Sequence, residues 1–260
     1  MMRGQLMYLG GKNDAFTYKM KELLEGKVKT VYPTDDPNTA LIQYEDKVTA
    51  GNGRKVDFPK GKGKVCCEIS KILFEKMEDS GIKTHYLSMP PHDVVVTMDP
   101  CKVMCCKKVD IVPIEVIVRN VCAGSLVRQT TLEEGKIINW PLVEWYLKDD
   151  EKDDPLLTTD RIMLMGYGPE VLQEMGLVAR EVNHILKTTF REMDFTLVDF
   201  KLEFGYDADK NLLLADELSP DGMRLWRNGE SFDKDLFRKD EGDIVEGYKY
   251  ILQNLRKFTL

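Results

Sequence analysis

The sequence predicts an α+β protein of two lobes, a β-rich N-terminal lobe packed on a larger mixed lobe, with ligands held between them. Three observations predict it. Residues 24–110 read as short strands around one prominent helix, and residues 111–260 mix longer strands with two amphipathic helices. No internal repeat or low-complexity linker separates the two parts, so both belong to one packed body with a cleft.

Residues 13–25 are read as a short helix with Phe16, Met20, Leu23 and Leu24 on one side, and residues 1–23 as an extension before the first lobe. Strands are expected at 28–32 and 40–44, and Gly51-Asn52-Gly53 marks a turn. Residues 60–64, reading KGKGK, are expected as a basic glycine-rich loop. A helix then runs over 68–80, with Ile69, Ile72, Leu73 and Met77 at helical spacing and Gly81 at its end. Strands follow at 94–98, 102–106 and 111–120. Residues 149–154, DDEKDD, form an acidic loop before Pro155, and Pro169 opens a long helix striped by Val171, Met175, Val178, Val182, Ile185 and Met193. Segments 195–205 and 212–218 read as two strands joined by a polar turn, and a last helix covers 243–257.

The bulk composition excludes several functions. Of 260 residues, 43% are hydrophobic and 31% charged, which speaks against global disorder. A net charge of −7 argues against a non-specific nucleic-acid binder, which needs an excess of Lys and Arg to displace counterions. A local basic pocket for a phosphorylated small molecule stays open. No apolar run approaches the roughly 20 residues of a spanning helix, and residues 1–12 lack the sustained apolar core of a signal peptide. No membrane partner and a cytoplasmic location are therefore expected. The six cysteines form no C-x-x-C pair, so the usual zinc spacing is absent and reduced, mostly buried thiols are expected.

Residues 197–205, LVDFKLEFG, carry the most chemistry. A strand alternates faces, so Val198, Phe200, Leu202 and Phe204 point one way and Asp199, Lys201 and Glu203 the other. A solvated outer face is the plain reading. The next strand adds weight to a site: an antiparallel hairpin turning near 209–210 brings Glu203 close to Asp216. Two converging carboxylates suit magnesium, which takes oxygen ligands and commonly one or two carboxylates plus phosphates. Without a cation, clustered acids repel one another. Arg224, just beyond, adds a fixed positive charge suited to phosphate.

Residues 111–125, IVPIEVIVRNVCAGS, predict a buried strand. Glu115 and Arg119, four apart, share a face. They form either a structural ion pair or, with the Ala123-Gly124-Ser125 turn, an anion pocket in which glycine permits close approach and the Ser125 hydroxyl donates. Lys27 and Lys29 also share a face, beside Gly26, and can hold phosphates as point charges. No Walker A loop is present.

Jointly these segments resemble the SAICAR synthetase family. IVPIEVIVRNVCAGS and LVDFKLEFG resemble its two signature segments, and GKVKTVY, TAGNG, PLVEWYLKDDEKDDP and LADELSPDGMRLW occur in the family's order over about 24–255. The resemblance implies an ATP-dependent ligase of de novo purine biosynthesis. It joins L-aspartate to the carboxylate of carboxyaminoimidazole ribonucleotide (CAIR), through an acyl phosphate, giving SAICAR, ADP and phosphate. It implies ATP and Mg²⁺, and a fold like the ATP-binding lobes of protein kinases and ATP-grasp enzymes. By matching motif, Lys27 and Lys29 would contact ATP phosphates, and Ile111, Val112 and Pro113 would form the hinge against adenine. Glu203 and Asp216 would bind Mg²⁺. Arg119, Ser125 and Arg224 would hold the ribonucleotide by its phosphate, with Glu115 facing its base. Lys148 and Asp154 would organise the cleft, and Asp199 and Lys201 would act in the active site. Asn52 stands in TAGNG where some members have Asp, which removes a charge there.

A small-molecule kinase and a non-catalytic nucleotide sensor are the alternatives. A protein kinase is excluded by the lack of G-x-G-x-x-G, H-R-D and D-F-G. A sensor would be expected to have lost Lys27, Arg119, Glu203 or Asp216, and all are present. A homodimer is the expected assembly, dimers being the commonest homo-oligomers.

Overall fold

The computed structural model describes residues 24–51, 53–90 and 98–258. Along the chain the first half contains β1 (Leu24–Glu25), β2 (Lys29–Pro33), β3 (Thr39–Tyr44), β4 (Val48–Ala50), β5 (Lys55–Asp57), α1 (Lys62–Asp79), β6 (Tyr86–Ser88) and β7 (Val103–Lys107). Then come β8 (Asp110–Val121), α2 (Ser125–Gln129), β9 (Ile137–Leu147), β10 (Leu156–Leu157), α3 (Thr159–Leu164) and α4 (Pro169–Glu192). The chain continues through β11 (Thr196–Tyr206), β12 (Leu212–Ala215), β13 (Met223–Arg227), β14 (Glu230–Ser231), α5 (Asp235–Lys239) and α6 (Ile244–Phe258).

Two antiparallel sheets organise the α+β fold. The first has the order β1-β2-β3-β7-β6, with β4 and β5 as a separate hairpin. The second runs β10-β9-β8-β11-β13-β14. Strand β11 is its spine. One edge pairs with β8 over residues 199–206, while the other is shared: β13 pairs with residues 196–200 and β12 with residues 203–206. Between them the Lys201 amide donates to the Gly222 carbonyl at 2.8 Å, so the loop linking β12 to β13 enters the sheet beside Lys201.

Helix α4 covers one face of the second sheet. Its buried side, Leu172, Met175, Ala179, Val182, Leu186 and Phe190, recurs at three- and four-residue steps and packs in one core with Val116, Val118, Phe200 and Leu202. This face is one residue off the expected stripe, for Val171, Val178 and Ile185 are only partly buried. The apolar half of β11 is used here, which leaves its polar alternates on the face away from α4.

The first sheet is bound to the second through main-chain atoms. The His85 N–H donates to Leu214 of β12 at 2.9 Å, the Leu214 N–H donates to Lys83 at 3.0 Å, and the Lys107 N–H of β7 donates to His85 at 2.7 Å. Helix α1 packs on α6 and on the first sheet.

Three expectations are corrected. Residues 62–64 of the KGKGK segment are not loop but the first turn of α1, which begins six residues earlier than its apolar spacing indicates. Gly63 is there for contact: a Cβ would lie 2.4 Å from the Tyr44 carbonyl oxygen. Lys62, expected in a basic glycine-rich loop, is buried and paired with Asp221. Of the helix expected over 13–25, Leu24 and Glu25 instead form β1; residues 13–23 lie outside the described residues, as do the N-terminal extension, Asn52 and most of the strand expected at 94–98.

Candidate active site

The face of the second sheet away from α4 carries a row of charged groups. Register fixes their neighbours. Glu115 of β8 stands opposite Glu203 of β11 and Tyr146 of β9, and Arg119 stands opposite Asp199 and Leu142. Asp199 in turn faces Arg224 of β13, and Glu203 faces Ala215, one residue before Asp216. Sequence-distant residues are thus brought to one surface by strand pairing alone.

At one end lies an arginine–carboxylate cluster. Arg119 is 2% exposed, and its guanidinium is fully engaged. Nε donates to Glu144 at 2.7 Å, Nη1 to Asp199 at 3.0 Å and to the Ala123 carbonyl at 3.5 Å, and Nη2 to Ser125 Oγ at 2.8 Å and the Tyr146 hydroxyl at 3.2 Å. Asp199 also accepts from Arg224 Nη1 at 2.7 Å, and Arg224 Nε donates to Asp235 at 3.1 Å. Arg224 Nη2 makes no hydrogen bond among the described residues. Burial would lower both guanidinium pKa values, but Asp199 and its neighbours outweigh it and raise them. Gly124 (φ 60°) lies against this cluster, and a Cβ there would sit 2.6 Å from Arg224 Nη2. Since Ser125 Oγ accepts from Arg119, its own hydrogen is free to donate to a bound anion.

At the other end three lysines meet four acids. Lys201 Nζ is 2.7 Å from both Glu115 and Glu203. Lys148 pairs with Glu203, and Lys29 with Asp216 and, at 3.0 Å, with Glu217. Burial would lower Lys29 and Lys201, but the acids hold both above the ordinary lysine value. Burial would likewise raise Asp216, yet Lys29, Lys201 and Lys148 hold it low and ionised. Glu115 goes the other way: burial raises its carboxyl despite Lys201. Behind Asp216, burial pushes the His85 imidazole down to about 4, so it is neutral.

The remaining expected residues frame these clusters. Lys27, at the rim, pairs with Asp150 from the acidic segment. Ile111 is 40% exposed and Val112 buried, while Pro113 sits where the β8–β11 register slips, four residues of β8 passing two of β11. A residue without an N–H fits such a slip. The Pro113 carbonyl accepts the Lys148 N–H at 3.1 Å. Asp154 does not join the acid cluster directly; it accepts the Asp149 N–H at 2.9 Å and shapes the turn that presents Lys148. Sequence reasoning missed Glu144, Tyr146, Glu217 and Asp235. The E-W-Y run at 144–146 and the D-E pair at 216–217 carried the signal for the first three.

Among the described residues no group of three or more His, Cys, Asp or Glu is arranged to hold a metal by itself. Glu203 and Asp216 nevertheless fit Mg²⁺: they supply hard oxygens from within β11 and from just past the end of the neighbouring β12, and two carboxylates completed by phosphate oxygens are a usual set. Four of the six cysteines are buried and all are free thiols. No helix among the described residues is long and apolar enough to cross a membrane.

Comparison with known proteins gives a consistent picture. The family model described as SAICAR synthetase matches residues 22–255. Phosphoribosylaminoimidazole-succinocarboxamide synthase of Trichormus variabilis is 43% identical over 242 residues, covering 90% of this chain and 95% of that one. The protein of the same name from Methanocaldococcus jannaschii is 44% identical over 240 residues, covering 91% and 95%. A solved SAICAR synthetase in complex with ADP superposes with a TM-score of 0.84 at 38% identity, over 90% of this chain and 97% of that one. The enzyme from Ehrlichia chaffeensis gives 0.85 at 33% identity, over 91% and 98%.

Proposed function

We propose a division of labour among the clustered residues on the premise that this chain belongs to the SAICAR synthetase family and is an ATP-dependent ligase of purine biosynthesis. Its substrates are taken to be ATP, CAIR and L-aspartate, with Mg²⁺ held by Glu203 and Asp216. The observation that carries this reading is the convergence of Lys29, Lys148 and Lys201 on Glu115, Glu203 and Asp216, beside the Arg119–Asp199–Arg224 cluster four residues along β11.

A carboxylate does not yield its oxygen to an amine. In the reaction proposed, a carboxylate oxygen of the ribonucleotide attacks the γ-phosphorus of ATP and ADP leaves. The aspartate nitrogen then attacks the acyl carbon, the C–O bond breaks, phosphate departs and the nitrogen gives up a proton. Mg²⁺, when bound, would offset negative charge on the phosphates. The protein's own residues do the rest by position and charge. Lys27 and Lys29 stand at the rim and floor to take phosphate oxygens. The β8 slip at residues 111–113 offers main-chain groups to the adenine edge. Arg224 Nη2 and the Ser125 hydroxyl are the donors left over for the ribonucleotide phosphate. Arg119, with every donor already used, acts by charge and by fixing Ser125 and Asp199. Lys201 stands between the carboxylates of Glu115 and Glu203, where it can also neutralise an incoming carboxylate.

The test is ADP release by the purified protein with Mg²⁺–ATP and CAIR, with and without L-aspartate. Release that needs both substrates, with formation of the succinocarboxamide, is the expected result. Release that ignores aspartate would replace the ligase by a kinase. No release despite ATP binding would leave a sensor.

A further inference from the structure

Asp233 is 0% exposed, and a carboxylate so deeply buried costs stability unless donors surround it. Three donors do so. Oδ2 accepts the Leu225 N–H at 2.7 Å and the Ser231 hydroxyl at 2.9 Å, and Oδ1 accepts the Asp235 N–H at 2.7 Å.

The bond to Leu225 stands in for a rung of the sheet. Strands β13 and β14 pair Trp226 with Ser231, and one step further the Phe232 N–H donates to the Leu225 carbonyl at 3.0 Å. In a regular antiparallel ladder the Leu225 N–H would return to the Phe232 carbonyl. Here it goes to the Asp233 side chain instead. The Phe232 carbonyl lies against α6, where a Cβ on Gly247 would come within 3.1 Å of it.

Both attachments bear on Arg224. Leu225 follows it in β13, so the Leu225 N–H belongs to the planar peptide that joins the two residues. Asp235 accepts Arg224 Nε at 3.1 Å on one oxygen and Arg238 Nη1 on the other. One buried carboxylate therefore holds the main chain of Arg224 and also the acid that orients its guanidinium. Asp199 fixes Nη1, which leaves Nη2 as the unused donor among the described residues.

We propose that Asp233 is a positioning residue for ribonucleotide binding. By tying the Arg224 peptide to Asp235, it aims Arg224 Nη2 at the phosphate. The proposal rests on the reading of Arg224 as a phosphate-binding residue.

Asp233→Asn keeps the size and puts an NH₂ where one oxygen accepts, so the N–H of Leu225 or of Asp235 loses its acceptor. ADP release by the full chain is measured against CAIR at saturating Mg²⁺–ATP and L-aspartate, then against ATP at saturating CAIR. KM for CAIR is expected to rise about tenfold, the effect of one buried hydrogen bond, with KM for ATP unchanged. Equal rises in the two constants, or no rise in that for CAIR, would overturn the proposal. The same change is then made in an Arg224→Met background. There it is expected to add nothing, because a residue that acts through Arg224 has nothing left to act on. A further rise of the same size would overturn the proposal, since a merely structural effect would persist. Arg224→Met alone separates the two readings. If it raises KM for CAIR and Asp233→Asn does not, only the role of Asp233 fails. If it leaves that constant unchanged, the reading of Arg224 fails and the proposal falls with it. Ser231→Ala removes a single donor from Asp233 and carries the test if Asp233→Asn does not fold. A rise of about threefold in KM for CAIR is then expected, absent in the Arg224→Met background, and an unchanged constant would overturn the proposal.

Discussion

Glu115 and Glu203 stand directly opposite one another on adjacent antiparallel strands, bridged by Lys201 at 2.7 Å from each. Like charges in that relationship destabilise a sheet. Lys201→Met should therefore drive a proton onto one of the pair, Glu115 first, since burial already raises its carboxyl. A carboxyl raised above its unfolded value favours the fold at low pH and loses that contribution as pH rises through the folded value. The variant should thus lose stability relative to the parent from acid towards neutral pH, as melting curves would show. Turnover should fall by about 100-fold or more, the usual scale for losing a charge at the reacting centre.

Arg119→Lys keeps the charge and loses the fork. Five separate acceptors now converge on one guanidinium, and an ammonium reaches at most three. Leaving Glu144 or Asp199 short of a donor should cost about 2–4 kcal/mol in chemical denaturation. KM for CAIR should rise more than KM for ATP, because Ser125 and Asp199 lose their anchor. Equal changes in the two constants would remove the ribonucleotide role from this end of the site.

Gly124→Ala is a substitution of one carbon with a large expected effect. The added Cβ meets the Arg224 guanidinium at 2.6 Å on a backbone at φ 60°. Arg224 must move, breaking its bonds to Asp199 or Asp235. Affinity for CAIR should drop about tenfold or more, the loss of one charge-assisted contact, while nucleotide binding by calorimetry stays near the parent value.

The Lys62–Asp221 pair offers a test of linkage away from the chemistry. Both side chains are buried, and the Tyr248 hydroxyl donates to Asp221 at 2.7 Å. Burial would raise Asp221, but Lys62 reverses this and lowers it. Its contribution is therefore present above the unfolded value near 3.8 and lost as pH falls through the lower folded value. In Lys62→Met burial is opposed only by Lys234 and the Tyr248 hydroxyl, so the folded value rises and the variant loses less stability than the parent as pH falls. Near neutral pH it should lose about 3–5 kcal/mol. A parallel pH profile for parent and variant would show that the pair is not coupled in the fold.

Much of this was legible in the alternation of residues 197–205. Period two put Asp199, Lys201 and Glu203 on one face, and strand pairing put them opposite Arg119 and Glu115. A solvated face, the plain reading of that pattern, is not what the structure has: Asp199 and Glu203 are 4% and 2% exposed. Their burial depends on partners from four other segments, which no local pattern contains. Strand β9 escaped notice because Pro141 interrupts it. There the β8–β9 register jumps, Arg119 facing Leu142 and Val121 facing Ile137, so the proline sits inside a bulge that tolerates it. Lys62 was misjudged for a related reason. Lysines between glycines look like a mobile loop until the chain that packs over them is known.

The main-chain bonds between Leu214 and residues 83–85 have a further meaning for how the molecule comes apart. A main-chain seam running from β7 through residue 85 into β12 leaves no line along which one sheet can melt while the other persists. The Lys62–Asp221 and Glu68–Arg256 pairs tie α1 to the C-terminal part in the same way. Calorimetry should record one cooperative transition, and the amides of His85 and Leu214 should be among the last to exchange with deuterium.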